Sequence, residues 1–257
     1  MNGKTAVINK LLGLAGLELR QRGRTISDLM AQPRRASAGW VIEYIGTQGV
    51  GKTTLNNAVQ KCLRTDWFFR SDLGQNGPFA QPSAALEDLH REIYFQKIKR
   101  FQKENHNAWK SITVTRQMSR VISESLTILT HDFPRGFILD ESLFKNFPRE
   151  VLKLCGDTPE PLWTKRAFIH LRTRDPDFVV SRYQSRVEER TRRGMPQIPP
   201  TEAEVRTRVQ EDNVFFDTIT EKAQAFGCPV IVIYAEDTQQ DNIRKIIDLE
   251  KTIRAQA

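Results

Sequence analysis

Short apolar runs alternate along this chain with longer stretches in which apolar residues return every three or four positions. The first pattern predicts strands buried on both faces and the second predicts helices. The strands are Trp40–Ile45, Trp67–Asp72 as an aromatic run ending in a polar residue, Gly136–Leu139, Arg166–Leu171 and Pro229–Tyr234. Between them the spacing predicts helices from Leu55 to Lys61, 83–103, 111–131, 175–193, 201–226 and 240–253, with Leu86, Leu89 and Ile93 or Met118, Val121, Ile122, Leu126 and Leu129 as core positions. Leu73 to Pro82, rich in Gly, Pro, Gln and Asn, reads as a loop. Five strands separated by helices imply an α/β fold, a parallel sheet sandwiched between helices with all strand carboxyl ends at one edge. Ahead of the sheet, Ile8, Leu11, Leu12, Ala15 and Leu19 fall on one helical face with basic residues at its ends, and residues 31–38 read as a linker. Residues 1–38 are therefore expected to be a basic amphipathic extension and 39–257 the main domain. Such a helix lies on an anionic membrane surface, docks on a partner, or packs on its own domain.

Between the first strand and the first helix stands Gly46-Thr47-Gln48-Gly49-Val50-Gly51-Lys52-Thr53-Thr54. This is G-x-x-x-x-G-K-[ST] in its strand-loop-helix context. Its glycines let consecutive backbone N–H groups, backed by a helix N-terminus, surround a polyphosphate. Lys52 is expected to reach the outer phosphates and the Thr53 hydroxyl to hold Mg²⁺. The strand Gly136–Leu139 ends in Asp140-Glu141-Ser142, and an acid there belongs beside the metal or its water shell, so Asp140 joins Thr53 as a candidate metal ligand.

Charge changes the picture only locally. Of the formal +8, residues 1–38 hold seven basic and two acidic side chains, a net of +5 that leaves +3 for the rest. A second concentration, seven arginines against four acids, lies between Arg172 and Arg193. Specific phosphate contacts explain this better than a broad nucleic-acid track. Within that stretch Arg182, Arg186, Arg190 and Arg193 recur at helical spacing, and the face breaks at Gly194 before Met195-Pro196. An arginine-bearing lid over 182–200 is the expectation, because guanidinium stays charged and forks onto a phosphoryl group. The alternative is a solvated face in which Glu188 and Glu189 pair with neighbouring arginines. Asp237 stands in the loop after the last strand, Ala235-Glu236-Asp237-Thr238, and a resemblance to P-loop kinase folds, where that loop borders the adenine, implies a place at the nucleotide base. The three cysteines and four histidines show no disulfide, metal or catalytic spacing, and the cysteines read as small buried side chains. The early Leu-rich cluster is too short for a membrane span and no cleavage site follows it, so a cytoplasmic protein is expected.

The stretch Phe168-Ile169-His170-Leu171-Arg172-Thr173-Arg174-Asp175-Pro176-Asp177, continuing through Arg182-Tyr183-Gln184-Ser185-Arg186-Val187-Glu188-Glu189 to Ile198-Pro199, resembles the strand, arginine lid and following helix of deoxynucleoside kinases, and more loosely of thymidylate kinases. Asp140-Glu141-Ser142 occupies the place of their acid-Arg-Ser motif. The resemblance spans most of residues 39–240 and implies a P-loop NTPase fold with ATP and Mg²⁺ as donor and cofactor. Deoxynucleoside kinases end their second strand in a Glu that takes the proton of the attacking hydroxyl, and Asp72 stands nearest that place. Their motif arginine is replaced by Glu141. Asp72 or Glu141 is thus the candidate base, and Arg182, Arg186 and Arg190 are the candidates for neutralising charge on the moving phosphoryl group.

Three functions remain open on these residues. A small-molecule kinase transfers the γ-phosphoryl group to a hydroxyl or phosphate of a nucleoside, nucleotide or sugar. A polynucleotide 5′-kinase would use the basic N-terminal segment to hold nucleic acid, although no stacking platform is evident. A nucleotide-dependent switch NTPase would use the loop to drive a shape change, although no N-K-x-D follows and arginines are supplied in cis.

Overall fold

The strands β1 (Val41–Ile45), β2 (Trp67–Phe69), β3 (Gly136–Leu139), β4 (Arg166–Arg172) and β5 (Val230–Tyr234) form one parallel sheet in the order β2-β3-β1-β4-β5. The computed structural model describes residues 25–73, 81–103, 108–155, 161–192 and 200–256. The expected N-terminal helix over 8–19, Arg193 and the turn at 193–199 lie outside the described residues.

Alternation along the strands divides the core in two. Ile42, Tyr44, Ala167, Ile169 and Leu171 face α2 (Lys52–Leu63) and α9 (Gln239–Ala255). Ile45 and Phe168 face the other layer, built from α3 (Ala84–Gln102), α4 (Ala108–Thr130), α5 (Leu143–Asn146), α6 (Pro148–Cys155) and α8 (Glu202–Ala225). Glu43 points into that second layer and meets Arg166 of β4 in a buried ion pair, while its other oxygen accepts the Phe144 N–H at 3.3 Å. Burial pulls the Arg166 guanidinium down to about 10. An ion pair this dry is costly to break and fixes how the two central strands sit against α5.

Two elements differ from the sequence expectation for physical reasons. A five-residue helix, α1 (Ile26–Met30), is closed by a capping box in which Thr25 and Asp28 exchange hydrogen bonds. It buries Ile26 and Leu29 against Phe68, Phe133 and Phe137, so the packed core of the domain begins before the stretch read as linker. Helices α5 and α6 are only four and eight residues long, too short for a helical period to show. Of the cysteines, Cys155 and Cys228 are buried and Cys62 is exposed.

Helix α7 (Pro176–Arg192) packs on α8 through Val179 and Val180 against Val205 and Val209. The chain winds from β1 outward to β2 and back through β3, then crosses to β4 and β5 on the other side. Order reverses beside β1, and in open parallel sheets the crevice at such a reversal is where ligands bind.

Candidate functional site

The loop after β1 is held tight by backbone geometry. Gly46 has φ 130°, and a Cβ there would stand 2.2 Å from the Leu171 carbonyl oxygen of β4. Gly51, at φ 109°, caps α2, and a Cβ on it would meet the Arg182 guanidinium at 2.3 Å. Only glycine fits either place. Lys52 opens α2 and is 6% exposed. Its Nζ donates to the carbonyls of Gly46 at 2.5 Å and Thr47 at 2.6 Å, folding the ammonium across the loop. Burial and the neighbouring Lys145 pull its pKa down to about 7, against the opposing pull of Glu141, Asp212 and Asp140. Those four side chains come from the segment after β3, from α5 and from α8, so three parts of the chain converge on the lysine.

Asp140, half-buried at the end of β3, shares a cavity of about 500 Å³ with Asn56, Gln60, Arg70, Arg120 and Glu124. Asn56 stands one helical turn after Thr53 on α2, and its Oδ1 is buried with no hydrogen-bond partner. The buried Tyr44 of β1 has its pKa raised, first by burial and then by the charge of Asp140. The oxygens of Thr53, Asp140 and Asn56 are the hard donors that suit Mg²⁺, and a magnesium ion bound through one or two protein oxygens and substrate phosphates needs no larger set. Among the described residues no group of three His, Cys, Asp or Glu side chains could hold a metal by itself.

Glu141 faces a second cavity of about 500 Å³, which Gly46 and Gln48 of the loop and Asp212 also line. Burial alone would raise the Glu141 carboxyl. The charge and hydrogen bond of Lys145, the Asn146 amide and the charge of Arg70 outweigh it and hold the group below the usual carboxylate range. Gln117 of α4 also reaches Glu141, at 3.4 Å. Asp212 was not foreseen. It accepts the Thr47 hydroxyl at 2.6 Å and so ties α8 to the loop.

Asp72 does not join this group. A 3-10 turn over Arg70–Asp72 folds it back under the sheet edge, where Oδ2 accepts the Phe69 N–H at 2.9 Å and Oδ1 the Arg64 guanidinium at 3.2 Å. Arg70 and Ser71 of that turn line the cavity beside Asp140, and Asp72 does not; the Arg70 Nε donates to Glu124 at 2.8 Å and its Nη2 is buried without a partner. The second-strand position that the sequence suggested for an acid is therefore filled by a cation.

Of the arginine face, Arg182 lies on the loop. It donates to the Val50 carbonyl at 3.1 Å and its guanidinium stands 4.5 Å from the Phe178 ring centroid. Arg186 and Arg190 follow one and two turns along α7 and make no ion pair among the described residues. Beside Arg182 a narrow cleft of about 80 Å³ is lined by Gly51, Thr54, Asp237, Gln239 and Asn242. Asp237 thus borders the loop's outer side, ion-paired to Arg174 at 2.9 Å and Lys245 at 3.1 Å, and these partners hold its carboxyl below the usual range.

The parallel order β2-β3-β1-β4-β5, with the phosphate loop following β1 and an acid ending β3, is that of a P-loop NTPase fold. No protein-family model matches the chain and no curated protein sequence matches it. Among solved structures it is similar to deoxyadenosine kinase from M. mycoides with bound dATP, at 14% identity over 82% of this chain and 99% of that chain, TM-score 0.45. It is also similar to a gluconokinase from Sinorhizobium meliloti 1021, at 12% identity over 86% of this chain and 97% of that chain, TM-score 0.40. No described helix is long and apolar enough to cross a membrane.

Proposed function

We propose that the protein is an ATP-dependent phosphotransferase acting on a small-molecule acceptor. One observation carries this reading: the loop lysine shares its charge environment with Asp140, Glu141, Asp212 and Lys145, and the loop itself forms part of the wall of an acceptor-sized cavity. A pure switch needs the loop but no second pocket at the transferred phosphate. Pockets of 300–1,000 Å³ hold metabolites.

The roles follow from position. Loop amides from Gly49 to Thr54 and the Lys52 ammonium hold the β- and γ-phosphates, and the base lies toward Asp237 and Asn242. Bound through Thr53 and Asp140, Mg²⁺ would supply charge neutralisation of the phosphate oxygens. Glu141 is the base candidate, in preference to Asp72, whose two oxygens are committed to its own turn. Its carboxylate stays ionised beside Lys145 and Asn146 and orients the acceptor hydroxyl. A loose phosphoryl-transfer transition state makes little demand on basicity, so an ordinary carboxylate suffices. Arg70 adds a cation on the acceptor side, and Arg182 adds one on the donor side. Arg186 and Arg190 are proposed to contact the nucleotide only when α7 swings toward the loop.

The test is ADP formation by purified protein with Mg²⁺, ATP and a panel of nucleosides, nucleotides, sugars and sugar phosphates. Acceptor-dependent ADP release that disappears in Lys52→Ala is the expected result. Equal ATP affinity in wild type and Lys52→Ala would remove the loop from the mechanism. ADP release that ignores every acceptor and responds to lipid or protein would favour a switch NTPase. Binding of oligonucleotides that weakens steeply with salt and vanishes without residues 1–38 would favour the polynucleotide kinase.

A further inference from the structure

The cavity beside Glu141 carries more positive charge than its own acids account for. Helix α3 contributes Lys97 and Arg100, and α6 contributes Arg149 at its first turn. Helix α8 lines the same space with Arg208, Asp212 and Phe215, which recur at i, i+4 and i+7 on one face. Several of these charges are already used. Lys145 is paired with Glu141, Arg100 with the buried Glu150 at 3.1 Å, and Asp212 holds the Thr47 hydroxyl. Arg149 has no carboxylate partner among the described residues. Its guanidinium carbon lies over the Phe215 ring, 4.5 Å from the centroid.

A guanidinium stacked on an aromatic ring keeps its in-plane donors free for an incoming anion. Phe215 stands three residues past Asp212 on α8, so the Arg149 end of the cavity is set back from the loop by about one helical turn, roughly 5 Å along the axis. That separation would let one molecule place an anionic group at Arg149 and a hydroxyl at Glu141.

We infer that the acceptor is an anionic metabolite, carrying a phosphomonoester or carboxylate that Arg149 binds over Phe215, with Arg100 adding to the field. The inference rests on the phosphotransferase reading and names its substrate class. In the reaction the acceptor hydroxyl oxygen forms a bond to the γ-phosphorus of ATP. The bond from that phosphorus to the β,γ-bridging oxygen breaks, its electron pair leaving on ADP, and the hydroxyl proton passes to the Glu141 carboxylate and on to solvent.

The experiment compares matched probes: ribose with ribose 5-phosphate, adenosine with adenosine 5′-monophosphate, and glucose with gluconate. Binding is followed calorimetrically with saturating ADP and Mg²⁺ to occupy the loop, and turnover is followed separately with ATP. The anionic member of at least one pair should bind, and Arg149→Gln should weaken it roughly ten- to hundredfold. Arg149→Lys should recover part of the loss, and the affinity for ADP should hold. A phosphate-bearing or a carboxylate-bearing partner identifies the group. Preference for the neutral members, or equal binding by Arg149→Gln with an unchanged melting temperature, overturns the inference. Arg149-dependent anion binding without transfer to any acceptor leaves the anion site standing and removes the phosphotransferase reading instead.

Discussion

On the β1–β4 side of the sheet edge, the proposed donor surface is made of backbone. Gly46 presses against the Leu171 carbonyl, Gly51 opens α2 beneath Arg182, and Lys52 lies across the loop's own carbonyls. On the β2–β3 side the surface is made of side chains. Arg70, Glu124, Asp140, Glu141 and Lys145 arrive from four different segments. A polyphosphate is the same in every nucleotide and is matched by a fixed ring of N–H groups. An acceptor varies in shape and charge, and only side chains can be changed to follow it without disturbing the loop.

The strongest way to break this comparison is Lys52→Ala. If the donor side works as a unit, losing a charge that acts on the moving phosphoryl group lowers turnover by about 10²–10³-fold, measured as acceptor-dependent ADP release. The loop backbone should keep its shape, because Gly46 and Gly51 fix it independently of the lysine. An unchanged rate would mean that the backbone alone carries the donor function.

Next in size is a paired test on the acceptor side. Glu141→Gln keeps the shape and hydrogen bonds of the site but cannot take a proton, and turnover should fall by about 10²-fold with ATP affinity retained. Asp72→Asn should leave turnover within a few-fold and lower the melting temperature instead, since Asp72 ties the Phe69 N–H and Arg64 together. The reverse pattern would move the base to the second strand.

The same contrast decides what the sequence could reveal. The loop was legible from Gly46 to Thr54 because backbone curvature demands glycine at set positions. Asp140 was legible because an apolar run has to end in a polar residue at the edge. The swap of Arg70 for Asp72 was not, since the 3-10 turn after Phe69 rotates successive residues to different sides and nothing in Arg70-Ser71-Asp72 announces where the strand stops. Asp212 sits at an ordinary polar position of a long helix, and only tertiary packing brings it to Thr47. The arginine spacing on α7 was visible, yet α7 docks by Val179 and Val180, near its start, so among the described residues only Arg182 of that series reaches the loop.

The smallest expected effect asks how dry the donor side is beneath its backbone surface. His170 on β4 is fully buried, in register with Ile45 and Val232, its ring 5.9 Å from Phe216. Asp217 comes within 3.6 Å of Nδ1, but Arg172 holds that same oxygen at 2.9 Å. Burial, with Arg172 and Lys52 nearby, pulls the imidazole down to about 3 from 6.5. Between those values the unfolded chain binds a proton that the folded chain refuses, so stability is full above pH 6.5 and is lost as the pH falls toward 3. At pH 5 the loss from this one group is about 2 kcal/mol. Urea denaturation of wild type and His170→Leu at pH 7.5 and pH 5 isolates it, because other titrating groups, His90 among them, are common to both proteins and largely cancel. Wild type should lose about 2 kcal/mol more than the variant on acidification. Equal losses would mean that water or Asp217 reaches the imidazole in the folded state, and that the layer between β4 and α8 is as polar as the acceptor side it was contrasted with.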